Sequence, residues 1–132
     1  EGQASLVLSD GAEIKVDDEV WIAGNEESLS TFSIGAEEGE TATAAGTLAM
    51  SDEAVITFFE GAGSLVFNHT EENYIFDAYI ENYISPNDTS ASYDNSLIAL
   101  YAGTTSFTGD LTDYLGKMTV DGGTLSISGG DA

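Results

Sequence analysis

The residues that could do chemistry in this chain are few. His69 is the single histidine, and there is no cysteine and no arginine. A lone imidazole can move protons near neutral pH, but no serine or carboxylate is tied to it by a recognisable motif. A lone histidine also cannot hold zinc without further strong ligands. Carboxylates are abundant: Asp17-Asp18-Glu19, Glu37-Glu38 with Glu40, and Glu71-Glu72 form clusters. Hard oxygens of this kind suit Ca²⁺, yet neither the EF-hand spacing nor a glycine-rich nonapeptide repeat is present. Paired carboxylates also serve glycoside hydrolysis. No nucleophile elbow, phosphate loop or metal motif accompanies them. The sequence therefore assigns no catalytic, cofactor-binding or metal-binding residue, and the chain is not expected to be an enzyme. An enzyme acting on neutral polysaccharide stands as a minor alternative.

Aromatic residues offer another kind of site, because Tyr and Trp favour interfaces. Tyr79, Tyr83 and Tyr93 flank or lie within one loop and are the candidate partner-binding surface. Trp21, inside Val20-Trp21-Ile22, is expected to pack in the core.

Charge narrows the partners. The chain has 132 residues, with 24 Asp and Glu against two lysines, for a net charge of −22. Nucleic-acid binding needs cations that displace phosphate counterions, and two lysines do not supply them. Anionic membrane surfaces are excluded for the same reason. A charge this large keeps copies apart at low salt, and it is expected to oppose end-to-end association of the chain.

The elements that must position these residues are short. Alternation is clear in Leu6-Val7-Leu8, Ile14-Lys15-Val16, Phe32-Ser33-Ile34, Leu65-Val66-Phe67, Met118-Thr119-Val120 and Leu125-Ser126-Ile127. Such runs, separated by Gly, Asn, Asp, Ser and Thr, read as strands between turns, with one face buried and one solvated. Asn68 to Ala78 is the best helical candidate, and Tyr74-Ile75-Phe76 interrupts it as a β-prone run. A unit recurs: Gly46-Thr47-Leu48-Ala49-Met50 matches Gly63-Ser64-Leu65-Val66-Phe67 and Gly123-Thr124-Leu125-Ser126-Ile127, with Ala4-Ser5-Leu6-Val7-Leu8 a variant. The spacing of the leading leucines approximates multiples of about 20 residues, the length of one solenoid coil. A β-sandwich built of hairpins is the competing reading. It is disfavoured because only Asp10-Gly11 and Asp121-Gly122 offer two-residue hairpin turns. Two excursion loops interrupt the pattern, near residues 35–46 and 82–95.

In their order, these motifs resemble bacterial autotransporter passenger domains. The resemblance rests on Phe32-Ser33-Ile34-Gly35, Ala44-Ala45-Gly46-Thr47-Leu48 and Gly63-Ser64-Leu65-Val66-Phe67-Asn68-His69-Thr70. It continues through Ala102-Gly103-Thr104-Thr105-Ser106-Phe107 and Lys117 to Leu125. It implies a right-handed parallel β-helix segment of about six coils, spanning residues 1–132 as one piece of a longer passenger. It also implies display on the outer membrane of a Gram-negative bacterium, or secretion, with a C-terminal β-barrel translocator in the parent chain. The function implied is a non-catalytic adhesive or virulence scaffold. Its partner would be a host-cell receptor or surface, or another copy of itself. A released effector that binds a host receptor is the alternative.

Overall fold

A computed structural model describes residues 2–22, 28–51, 54–58, 62–82, 96–109, 111, 114 and 116–127. Among these the chain is all-β. The strands are β1 (Gly2–Leu8), β2 (Glu13–Val16) and β3 (Glu19–Ile22), followed by β4 (Ser28–Gly35), β5 (Thr47–Met50) and β6 (Val55–Phe58). Next come β7 (Ala62–Asn68), β8 (Tyr74–Phe76) and β9 (Tyr79–Asn82), then β10 (Ser96–Ala102), β11 (Thr104–Phe107), β12 (Lys117–Val120) and β13 (Thr124–Ile127). Every ladder between these strands is parallel. The largest sheet has the order β1-β4-β7-β10-β12. Three smaller sheets, β2-β5, β3-β6-β9 and β8-β11-β13, take the strands that follow. The helical candidate at 68–78 is the end of β7, a turn and β8, because aromatic and β-branched residues favour the pleated surface.

Register explains the core. Leu6, Phe32, Leu65, Ile98 and Met118 form one row across the main sheet. Leu8, Ile34, Phe67, Leu100 and Val120 form the next inward row. Alternate residues of a strand point the same way, so both rows fall on the face packed in the core. Leu65, Phe67, Ile98 and Leu100 are fully buried. Phe67 is the hub of an aromatic cluster, with ring centroids 5.0 Å from Phe76 and 5.3 Å from Phe107. Tilted and edge-on pairs of this kind stabilise by about 0.5–1.5 kcal/mol beyond their buried area.

The intervening row corrects the expectation of a solvated outer face. Ser33, Val66 and Ala99 are as buried as their inward neighbours. Parallel sheets are covered on both faces, and their strands then read as near-continuous small and apolar runs. That is the character of Leu65-Val66-Phe67 and Ile98-Ala99-Leu100.

The repeat is also less regular than its motif suggests. Leu6 and Leu65 share a row, but Leu48 pairs with Ile14 and Leu125 with Thr105 in other sheets. Separations along the first row are 26, 33, 33 and 20 residues rather than about 20 throughout. The Gly-x-Leu unit marks a strand that follows a tight turn, and it does not encode which sheet that strand joins. The main sheet holds five strands among the described residues, against about six coils expected.

Phe67→Ala should cost about 3–5 kcal/mol, the usual range for emptying an aromatic core site. Ile75→Ala, at an outward position 58% exposed, should change stability by less than about 0.5 kcal/mol. Urea unfolding of the two variants beside the parent chain checks both.

Candidate functional site

The most elaborately held feature is the acidic turn that leaves β4 and returns at β5. Gly35 ends β4 with φ at 95°, and a Cβ there would collide with the Asn68 carbonyl. Only glycine takes that backbone angle beside that neighbour at little cost. The Ala36 N–H then donates to the Asn68 carbonyl at 2.9 Å. The Asn68 side chain completes the clamp. Its Nδ2 donates to the carbonyls of Glu37 at 3.0 Å and Glu40 at 2.9 Å. Asn68 is buried, at 3% exposure, so both amide hydrogens are needed for satisfaction.

The far limb of the turn is stitched to its neighbours. Thr70 N–H donates to the Thr43 carbonyl at 3.1 Å, and Asp10 N–H to the Ala44 carbonyl at 2.8 Å. Glu71 Oε2 accepts from the Ala45 N–H at 3.3 Å. The tip reaches across the main sheet in both directions. Ser5 Oγ on β1 donates to Glu37 Oε2 at 3.0 Å, while Glu38 hydrogen-bonds Tyr101 on β10. Burial, with the Glu38 charge beside it, raises the Tyr101 phenol above its ordinary pKa. Glu37, Glu38 and Glu40 are themselves exposed. The outcome is three carboxylates presented on a fixed backbone.

His69 lies under this turn and is fully buried. Its Nδ1 accepts from the Glu71 N–H at 3.1 Å. An amide can only donate, so the ring proton sits on Nε2, which donates to Thr105 Oγ1 at 2.8 Å. Gly103, with φ at 82°, packs so tightly on the ring that a Cβ there would overlap it. Both ring nitrogens are used and neither faces solvent, so the imidazole is a strut. Desolvation holds its pKa below the ordinary value, against a smaller raising effect of the Glu71 carboxylate.

Tyr74, named in the sequence only as part of a β-prone run, locks the same corner. Its hydroxyl donates to the Gly46 carbonyl at 2.8 Å, and burial pushes its pKa up to about 12. Tyr114 plays a similar part lower down, donating to the Lys117 carbonyl at 2.5 Å. Burial raises its pKa as well. The one sequence signal for the Asn68 clamp is an asparagine closing an apolar strand, a residue type that bonds readily to nearby backbone.

The other candidates scatter. Tyr79 lies on β9, half-buried and in register with Val55. Tyr83 and Tyr93, with most of the 82–95 loop, lie outside the described residues, so the three tyrosines are not seen together. Trp21 corrects the expectation of core packing. It is 64% exposed, because Val20 and Ile22 take the inward positions of β3 and leave the indole outside. Its Nε1 donates to Glu19. Asp17, Asp18 and Glu72 are exposed and Glu71 half-buried. Among the described residues no group of three His, Cys, Asp or Glu side chains could hold a metal ion. Comparison with protein-family models, with curated proteins and with solved structures gives no match.

Asn68→Asp replaces a double donor with a carboxylate facing two carbonyls. It should cost about 1–3 kcal/mol or more and free the turn. A glutamate-specific protease should then cut at Glu37, Glu38 or Glu40 in the variant and leave the parent chain intact under the same conditions.

His69 also predicts a pH dependence. A histidine with a depressed folded pKa binds fewer protons folded than unfolded. Its stabilising contribution is full above the unfolded value of 6.5 and falls as pH drops from there through the folded value. Denaturant melts at pH 7.5 and 5.5 should show a larger loss for the parent chain than for His69→Gln. Equal losses would remove the histidine from the account.

Proposed function

We propose that the chain is a segment of a right-handed parallel β-helix that serves as a non-catalytic display scaffold on a bacterial surface, of the autotransporter passenger kind. The observation that carries this reading is the in-register parallel ladder β1-β4-β7-β10-β12. Each of its first three strands is followed by two shorter strands that join separate parallel ladders. Chains that return to the same sheet by such steps, always parallel, build an elongated prism whose length grows with the number of returns.

The acidic turn supports the display part of the reading. It is a loop on a rigid scaffold, the usual location of binding surfaces, and its backbone is fixed before any partner arrives. Preorganisation of this kind lowers the entropic cost of binding. The partner would be a host or neighbouring cell surface that offers cations or hydrogen-bond donors to Glu37, Glu38 and Glu40. The buried, doubly bonded His69 supports the non-catalytic part. The sequence resemblance to passenger domains supports the location, with a β-barrel translocator in the parent chain.

Antibody raised against the purified chain tests the reading. Intact cells of the source organism should bind it, and brief protease treatment of those cells should remove the signal. Labelling that appears only after permeabilisation would overturn surface display.

A further inference from the structure

The sheet β3-β6-β9 packs Val20, Ile22, Ile56, Phe58 and Ile80 against the core. Alternate residues of a strand point the other way. Glu19 and Trp21, Val55 and Thr57, and Tyr79 and Glu81 therefore share its outer face. The register sets them in two rows, Glu19-Val55-Tyr79 and Trp21-Thr57-Glu81. Each row has an aromatic ring at one end and a carboxylate at the other, in opposite order. Each outer strand likewise carries one ring and one carboxylate, two residues apart.

Both carboxylates are held in place. Trp21 Nε1 donates to Glu19, so the indole lies beside that carboxylate. The Thr57 hydroxyl, on a residue 3% exposed, donates to Glu81 Oε2 at 3.2 Å. Glu19 and Trp21 are exposed, and Tyr79 and Glu81 half-buried. A strand added beside β3 would widen this face and leave it outward, so the array does not depend on an open edge of the stack.

We propose that this face binds an arginine-bearing segment of a partner protein, with one guanidinium at Trp21 and Glu19 and a second at Tyr79 and Glu81. A guanidinium stacks flat on an aromatic ring and bonds a carboxylate through the edge of its plane. An ammonium is a point charge with no plane to stack. Cation–π attraction is strongest over tryptophan. The two pairs lie on strands separated by β6, about 10 Å apart. Two arginines on one side of an extended segment are about 7 Å apart at Cα, and their long side chains span the rest. The net charge of −22 favours a cationic partner and speeds its encounter. The chain itself contains no arginine, so a second copy is not the occupant. The inference does not rest on surface display.

Trp21 is the only tryptophan, so its emission reports on this face directly. The probe is a capped peptide with two arginines separated by one glycine, in about 0.15 M salt to screen long-range attraction. It should change the Trp21 emission saturably. The same peptide with lysines should bind roughly fivefold more weakly, having lost the stacking. Glu81→Gln keeps an acceptor for Thr57 and should weaken binding roughly fivefold, with circular dichroism unchanged. Asp121→Asn removes an equal charge at an exposed position after β12 and should weaken it less than about twofold. Trp21→Ala, followed by calorimetry, should weaken it roughly three- to fivefold. Absence of a saturable change would overturn the proposal, as would an equal response to maltohexaose, a neutral sugar. Equal affinity for the lysine peptide, or equal losses from Glu81→Gln and Asp121→Asn, would overturn it too, since attraction to bulk charge would then explain the binding.

Discussion

No strand in this protein can bury its own apolar face or satisfy its own backbone. Each depends on the strand that lies beside it after the chain has travelled 20 to 36 residues. Stability is thus a property of stacking. The rows Phe32-Leu65-Ile98 and Ile34-Phe67-Leu100, flanked by a strand on both sides, are buried throughout. The edges show the cost of lacking one, in the exposure of Leu6 and Val120. Loop closure over such distances must be met before the contacts reward it, which favours slow folding.

The acidic turn and its clamp follow from the same constraint. A chain that returns to the same sheet must change direction sharply at each strand end. Gly35, Asn68 and Ala102 occupy that corner on successive strands. Glycine supplies the angle, and the asparagine side chain supplies the hydrogen bonds that the departing backbone loses. His69 and Gly103 continue the corner one residue on, with the imidazole wedged between Thr105 and the Glu71 amide. The carboxylates of the turn project from this fixed frame. The charge that would otherwise disorder a segment such as Glu37 to Glu40 is tolerated because its carbonyls are held.

Much of the architecture was legible in the sequence. Short alternating runs, scarce helix signals and glycines at turns identify an all-β chain, and the scarcity of hairpin turns points to parallel pairing. The assignment of runs to sheets was not legible, because Leu48 and Leu65 sit in matching motifs yet stack on different neighbours. Outer-face burial was hidden for a related reason. Ser33 and Ala99 look like solvated positions until both faces of the sheet are covered. Trp21 was misplaced because a one-residue choice of parity decides which side of a strand is inward. His69 stood in the sequence without a recognisable catalytic or metal motif, and its partners Thr105 and Glu71 became apparent only in three dimensions. The tyrosines of the 82–95 loop share no common surface among the described residues.

Native-state hydrogen exchange measures the stacking most directly, since amide protection reports the free energy of local opening. Amides of Leu65 to Asn68 and Ile98 to Leu100 should exchange most slowly and open together. Those of β1, β12 and β13 should exchange much faster, and protection should follow position in the stack rather than order along the chain. Protection of β1 or β12 equal to that of β7, or joint opening of pairs of consecutive strands as in hairpins, would contradict the account.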